Sequence, residues 1–293
     1  MNNNETKKSE NVPFAIALSL AALVIFGIQD IAVKKLVGDF APAQIVMIRF
    51  WGVGLFMLFW IWRSNDLAHV VHSHFPKLQV MRSILLLVDI WLFTAALDYM
   101  QTSDLQAIFM VYPIAVSLLA VPILGEKLGI YGWMAVLLGF AGALIVVRPG
   151  FQHVDHSVLL VIGAVISFSL YTVLTRKVAT KDSTKTSMFY MAVVTLLLST
   201  ATGLFHVKAM NVEASIIMLV VTICAITTHL LFTEALRFAP ASTLQPLNFL
   251  ALPIAVALTF LVFGHVTDLI TIAGGALTIL AGLMVWFGSR PVR

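Results

Sequence analysis

The sequence predicts an all-α membrane protein of ten transmembrane helices, arranged as two inverted five-helix repeats. Three observations carry that expectation. Hydrophobic residues make up 60% of the 293-residue chain and charged residues only 11%, whereas a soluble domain carries about a quarter charged residues; no soluble core could hide so much apolar surface. The apolar residues fall in ten runs, each close to the ~20 residues that cross a bilayer's hydrocarbon core. Finally, stretches of sequence recur in the same order at an offset near 139 residues.

In chain order the runs cover 13–33, 43–62, 80–98, 104–124, 129–147, 157–175, 186–205, 214–236, 242–264 and 269–288. Residues 1–12, rich in Asn, Glu, Lys and Ser, read as a disordered cytoplasmic tail. Span 1 follows Lys7-Lys8 but is too long for a signal core and lacks a small-residue cleavage site, so it is expected to be retained. Gly38-Asp39-Phe40-Ala41-Pro42 separates it from span 2. A polar loop with His69, His72 and His74 leads to span 3, which Asp89 interrupts; this loop is expected to be solvated and free of metal. Arg148-Pro149-Gly150 divides a first repeat, 13–150, from a second, 151–293, and Lys181-Asp182-Ser183 divides spans 6 and 7. Cys224 in span 8 reads as a small buried hydrophobe. Ala135, Gly139 and Ala143 form a small-residue face on span 5, echoed by Thr278 and Gly282 on span 10; such faces suit helix packing or a homodimer contact.

With ten spans both termini share a side. Thirteen Lys and Arg residues, Arg82 among them, fall in segments on that side. Lys34, Lys35, Arg148 and Lys208 fall opposite, and Arg49 lies inside span 2. The excess places both termini in the cytoplasm, in the inner membrane. The net charge of +4 thus reports topology, with lipid as the partner and no nucleic acid.

The repeat sets the architecture. Ala96 to Gln106 matches Ala235 to Gln245 with five of eleven positions identical; Pro113-Ile114-Ala115-Val116 recurs at Pro253, and Ala141-Gly142 at Ala281. Five spans per repeat is an odd number, so the second copy enters the membrane from the opposite face. Two antiparallel halves suit alternating access, with substrate held near the midplane between them. Other classes lack their signatures. No His-Glu-x-x-His, Gly-x-Ser-x-Gly or phosphate-loop motif is present, and one cysteine excludes a disulfide or multi-cysteine site. An intramembrane enzyme, an ATP-driven pump, a metal and a cofactor are therefore not expected, and no ring of like charges marks a channel.

A charge within hydrocarbon costs about 3 kcal/mol on insertion scales, so it marks a polar interior. Asp30 lies toward the outer end of span 1 and Arg49 in the outer third of span 2. If they meet, the pair either staples the two spans or binds a charged or zwitterionic substrate. Asp89, beside Trp91, sits mid-span with Thr228 or His229 as its repeat counterpart. A carboxylate and an imidazole there suit a cation or a coupled proton; the plainer alternative is a carboxylate held by hydroxyls. Gln106 and Gln245 open spans 4 and 9, Tyr112 precedes Pro113, and Asn248 lies between Pro246 and Pro253, where freed carbonyls can line a cavity. Tyr171 and Tyr190 fall near the repeat equivalents of Asp30 and Arg49. Each alone suits packing; together they describe a pocket that stacks a heterocycle or holds a quaternary or sulfonium cation. Glu126, Glu234 and Arg237 stand at helix ends, suited to gating, with Glu234 equally suited to a surface pair with Arg237.

The chain resembles the drug/metabolite transporter superfamily, EamA type, over essentially its whole length. The resemblance is carried by Gly27-Ile28-Gln29-Asp30 with Lys34, Ile48-Arg49-Phe50, Leu124-Gly125-Glu126-Lys127, Gly139-Phe140-Ala141-Gly142 running to Arg148-Pro149-Gly150, and Glu234-Ala235-Leu236-Arg237 through Pro240-Ala241. It implies the ten-helix inverted-repeat fold and transport of a small organic solute, nearest to the branch of S-adenosylmethionine and riboflavin carriers; the buried ionisable residues leave a proton or a counter-substrate as the coupling partner. Export of amino acids or drug-like compounds is the alternative it leaves open. One departure is visible: Gly264 is followed by His265, so Glu126 has no acidic twin in the second half and no symmetric gating role.

Overall fold

A computed structural model describes residues 11–37, 39–64, 67–96, 109, 111–126, 129–147, 157–251 and 269–288, with positions 254, 257, 258 and 261. Among these residues the molecule is helical and has no strand. The helices are α1 (Val12–Val37), α2 (Pro42–Ser64), α3 (Leu67–Val71), α4 (Pro76–Ala96), α5 (Tyr112–Leu124), α6 (Ile130–Val147), α7 (Ser157–Ala179), α8 (Thr184–Gly203), α9 (Val212–Phe238), α10 (Ala241–Asn248) and α11 (Leu269–Gly288). Six of them, α1, α2, α4, α7, α8 and α9, are long and apolar enough to cross a membrane, and α5 and α6 are shorter apolar helices.

The chain itself marks where the helices start and stop. Asn211 and Ser183 accept hydrogen bonds from the free amides of Ala214 and Thr186 at the starts of α9 and α8. Gly125, at φ 69°, ends α5 in the left-handed conformation that glycine tolerates best. Asn11 corrects the expected tail. Its side chain accepts from Phe14 N and its own amide donates to the Phe238 carbonyl at 3.1 Å, so Asn11 is tied into the fold; the remaining residues of that tail, 1–10, lie outside the described set. The loop before span 3 also differs from expectation, because Leu67–Val71 forms the short α3, packed on α8.

Packing joins the two halves of the chain throughout. The main contacts pair α6 with α11, α1 with α9, α4 with α7, α2 with α8 and α5 with α7, and α5 packs on α10 as well. Close approach needs small residues. A Cβ on Gly139 of α6 would lie 2.3 Å from the Phe249 ring after α10, and one on Gly52 of α2 would lie 2.1 Å from Thr222 of α9. The Ala135 and Gly139 face expected to serve packing or a dimer is thus occupied within the chain.

Burial is inside out relative to a soluble protein. Gln29, Gln79, Arg82, Asp89, His229, Gln245 and Asn248 are buried, while Leu55, Leu58, Phe59 and Trp62 of α2 and Leu219 and Ile223 of α9 are exposed. A soluble fold sends charges outward; charges inside an apolar belt are the arrangement of a multi-pass membrane protein.

Candidate functional site

Two polar layers lie between the halves. The inner one forms where α1, α2, α4, α7 and α9 converge. Arg49, extending from α2, donates from Nη2 to Nε2 of His229 on α9 at 3.1 Å, and both residues are only 8% exposed. Asp30 and Asp89 act on Arg49 electrostatically without a hydrogen bond. The guanidinium reaches across to α9, so the hydrogen bond of Arg49 goes to His229, while Asp30, considered from the sequence as its partner, acts on it through charge alone. Asp30 is an exposed residue as a whole, unlike Arg49 and Asp89.

Several buried polar atoms here have no hydrogen-bond partner among the described residues: Asp89 Oδ1, Arg49 Nε, Gln29 Oε1 and Thr228 Oγ1. The Tyr171 hydroxyl nears Arg82 and Thr175 without meeting hydrogen-bond geometry. Beside these atoms runs an aromatic array. Tyr112 and Phe168 meet edge to face at 4.9 Å, Phe168 and Tyr171 lie 5.8 Å apart, and Tyr171 stacks on Phe232 at 6.1 Å. Trp91 packs half-buried against the Phe50–Tyr171 core.

The second layer closes the face on which α1 begins. Asp182, in the loop between α7 and α8, accepts from Ser73 and from the His74 amide at 2.8 Å, the His74 ring at 3.1 Å and Gln79 at 2.8 Å. Burial works against the Asp182 carboxylate, but the donors Ser73, Gln79 and His74 outweigh it and hold its pKa below the usual carboxylate range. Gln79 receives Arg82 Nε at 2.7 Å, and Arg82, 1% exposed, donates onward to Thr175 at 3.1 Å and to the Ser187 carbonyl at 2.5 Å. Arg82 also lies 5.8 Å over the Tyr171 ring, which links this layer to the inner one. Glu126 accepts from Ala241 N at 3.0 Å, at the start of α10, and pairs with Arg176 at 3.6 Å. Glu234 pairs with Arg237 at 2.9 Å and receives Thr184.

Two clefts open at this face. One of about 410 Å³ is lined by His69, His72, His74, Lys181 and Asp182, and one of about 430 Å³ by Trp60, Leu230, Glu234 and Arg237. Neither reaches Arg49, Asp89 or His229, and among the described residues no group of side chains is arranged to hold a metal.

The remaining sequence candidates divide by position. Gln245 and Asn248 are buried on α10, bonded to Ala241 O and to each other. Tyr190 lies apart from the inner layer, donating its hydroxyl to Val71 O at 2.9 Å and so tying α8 to α3. Gln106 lies outside the described residues. Sequence reasoning missed Arg82, Gln79, Asp182 and Arg176. Arg82 falls within the expected span 3, and the one-turn spacing of Gln79 and Arg82 was the signal that it turns inward.

The model of the EamA-like transporter family matches residues 13–148 and again 156–287. The chain belongs to the EamA-like transporter family. It is therefore a multi-pass membrane transporter and not an enzyme. It is 22% identical over 273 residues to the "S-adenosylmethionine uptake transporter" of Rickettsia prowazekii, covering 92% of each chain. It is 29% identical over 217 residues to the "Riboflavin transporter" of Brucella anthropi, covering 72% of this chain and 76% of that one. A crystal structure 16% identical in sequence superposes with a TM-score of 0.79 over 94% of this chain and 97% of its own, a shared fold for this EamA-like protein.

Proposed function

We infer that this EamA-like protein is a secondary carrier of the cytoplasmic membrane that moves a small zwitterionic metabolite bearing a flat ring, by alternating access. The observation that carries the reading is the pairing of unpartnered atoms of opposite charge, Asp89 Oδ1 and Arg49 Nε, buried beside the Tyr112–Phe168–Tyr171–Phe232 array. An unmade buried hydrogen bond costs about 1–3 kcal/mol, and lipid supplies no water to relieve it. A zwitterion offers a carboxylate to the guanidinium, a cation to the carboxylate and a ring to the aromatic wall. S-adenosylmethionine has all three; riboflavin has the ring without the charges.

Residues 13–150 and 151–293 act as two inverted repeats with both termini in the cytoplasm. The double family match supports the division, and so does the packing. Exchanging the halves turns the α1–α9 contact into the α4–α7 contact and returns the α2–α8, α5–α10 and α6–α11 contacts to themselves. The excess of Lys and Arg supports the orientation. The face with α1 then lies in the cytoplasm, closed by the Asp182–Gln79–Arg82 and Glu126–Arg176 ties.

The test is uptake of radiolabelled S-adenosylmethionine and of riboflavin into proteoliposomes, with and without unlabelled compound trapped inside. Saturable uptake of S-adenosylmethionine, accelerated by the trapped compound, is expected. Uptake of neither compound, or uptake unaffected by preloading, contradicts the reading.

A further inference from the structure

The Arg49–His229 contact fixes the proton inventory of the imidazole. Arginine has only donors, so Nε2 of His229 must be the acceptor, with its lone pair directed at Arg49 Nη2 3.1 Å away. The ring is then neutral and carries its one proton on Nδ1. Protonated histidine has donors at both nitrogens and no acceptor, so it cannot keep this hydrogen bond. Two cations side by side in a buried site also repel each other.

We propose that His229 Nε2 is the proton-binding atom of the carrier, where an incoming proton and the Arg49 guanidinium compete for one lone pair, so that protonation releases α2 from α9. This rests on the transport reading above and names its coupling ion. The exchange has a direction. Arg49 belongs to the N-terminal half and His229 to the C-terminal half, so the bond ties the halves together. Once released, Arg49 is left with Asp89 Oδ1, an acceptor without a partner among the described residues, in its own half. A proton therefore trades a tie between halves for one within a half. The proton enters from the aqueous phase, adds to the Nε2 lone pair and leaves by the reverse step, with no other bond changed.

The groups around the ring support this assignment. Arg49 from α2 and Arg82 from α4 act on His229 directly. Asp30 from α1, Asp89 from α4 and Tyr171 from α7 act on Arg49. Tyr112 from α5 faces Asp89. On α8, Lys185 is engaged with Ser64 and Tyr190 with Val71, both in the first half of that helix. The buried carboxylate of Asp89, with Asp30 beside it, can receive a displaced guanidinium, and Arg82 stays held by Gln79, Thr175 and Ser187.

The experiment is histidine-selective ¹⁵N NMR of the full chain in lipid, with the His229 signal identified among the eight histidines by its loss in His229→Gln. Wild type at neutral pH is expected to show His229 protonated on Nδ1 alone. Arg49→Gln is expected to bind the His229 proton about tenfold more tightly, a rise of about one pH unit in its midpoint. Arg49→Leu, which keeps neither the charge nor a donor, serves if Arg49→Gln does not fold, with the same direction expected. A proton on Nε2 in wild type overturns the proposal. A midpoint unchanged by either substitution, including a ring that titrates in none of the proteins, also overturns it. None of these readouts needs substrate, so a failed uptake assay leaves the result intact and condemns only the transport reading.

Discussion

Asp89 carries the heaviest burden of any single residue in this account. Its carboxylate is 6% exposed, one oxygen lacks a partner, and the nearest opposite charge, Arg49, is bonded elsewhere. Asparagine has the same shape without the charge, so Asp89→Asn is expected to abolish accumulation while monomer yield and elution on size exclusion stay at wild-type levels. Normal uptake by that variant would remove Asp89 from the path. Asp182 makes the contrasting case, a carboxylate whose hydrogen bonds are all made. Because its folded pKa lies below the unfolded one, its contribution is complete at neutral pH and is lost as pH falls through the folded value, under the usual carboxylate range. Thermal unfolding in detergent should therefore show a steep fall in Tm at acid pH for wild type and a shallower one for Asp182→Asn. Parallel curves would deny Asp182 that role. At this scale, Asp30, Arg49, Asp89 and His229 stood out in the sequence because an ionisable group in an apolar run is costly and rare. Arg82 did not, because a cation at the start of a span looks like a loop residue until Gln79, Thr175 and Ser187 surround it.

Among the helices, contact is decided by small residues and by buried polar ties. Gly139 admits the Phe249 ring where a Cβ would stand 2.3 Å away. Gly139→Val should therefore cost about 1–3 kcal/mol, seen as a lower Tm with α6 and the turn after α10 forced apart; unchanged stability would mean that the ring simply moves aside. Arg82→Met would strand Gln79 Oε1 and take one donor each from Thr175 Oγ1, which keeps Tyr171 O, and the Ser187 carbonyl, so a loss of about 1–3 kcal/mol in stability is expected. The six long apolar helices and the two shorter ones were readable from hydropathy, which is set locally. The short α3 was not, since its five residues are held by tertiary contacts such as Tyr190 on Val71 rather than by their own pattern. Tyr190 went astray for a related reason: repeat arithmetic gives a depth in the membrane but not the direction in which a side chain points.

For the molecule as a whole, the pairing of each helix with one from the other half places every buried charge discussed here at a junction between halves. The repeat was visible in sequence because Ala96 to Gln106 and Ala235 to Gln245 share five of eleven residues. The polar ties that close one face were not, since Asp182 meets Gln79 across 103 positions and no local pattern records that. The central claim is that the layer around Arg49, Asp89 and His229 is reached in turn from both sides of the membrane. The direct measurement places a single thiol at Thr228→Cys after Cys224→Ala removes the native one, and treats sealed vesicles of each orientation with a membrane-impermeant thiol reagent. Labelling from either side, slowed by transported substrate, is the result expected. Labelling from one side alone, or from neither, would contradict the claim.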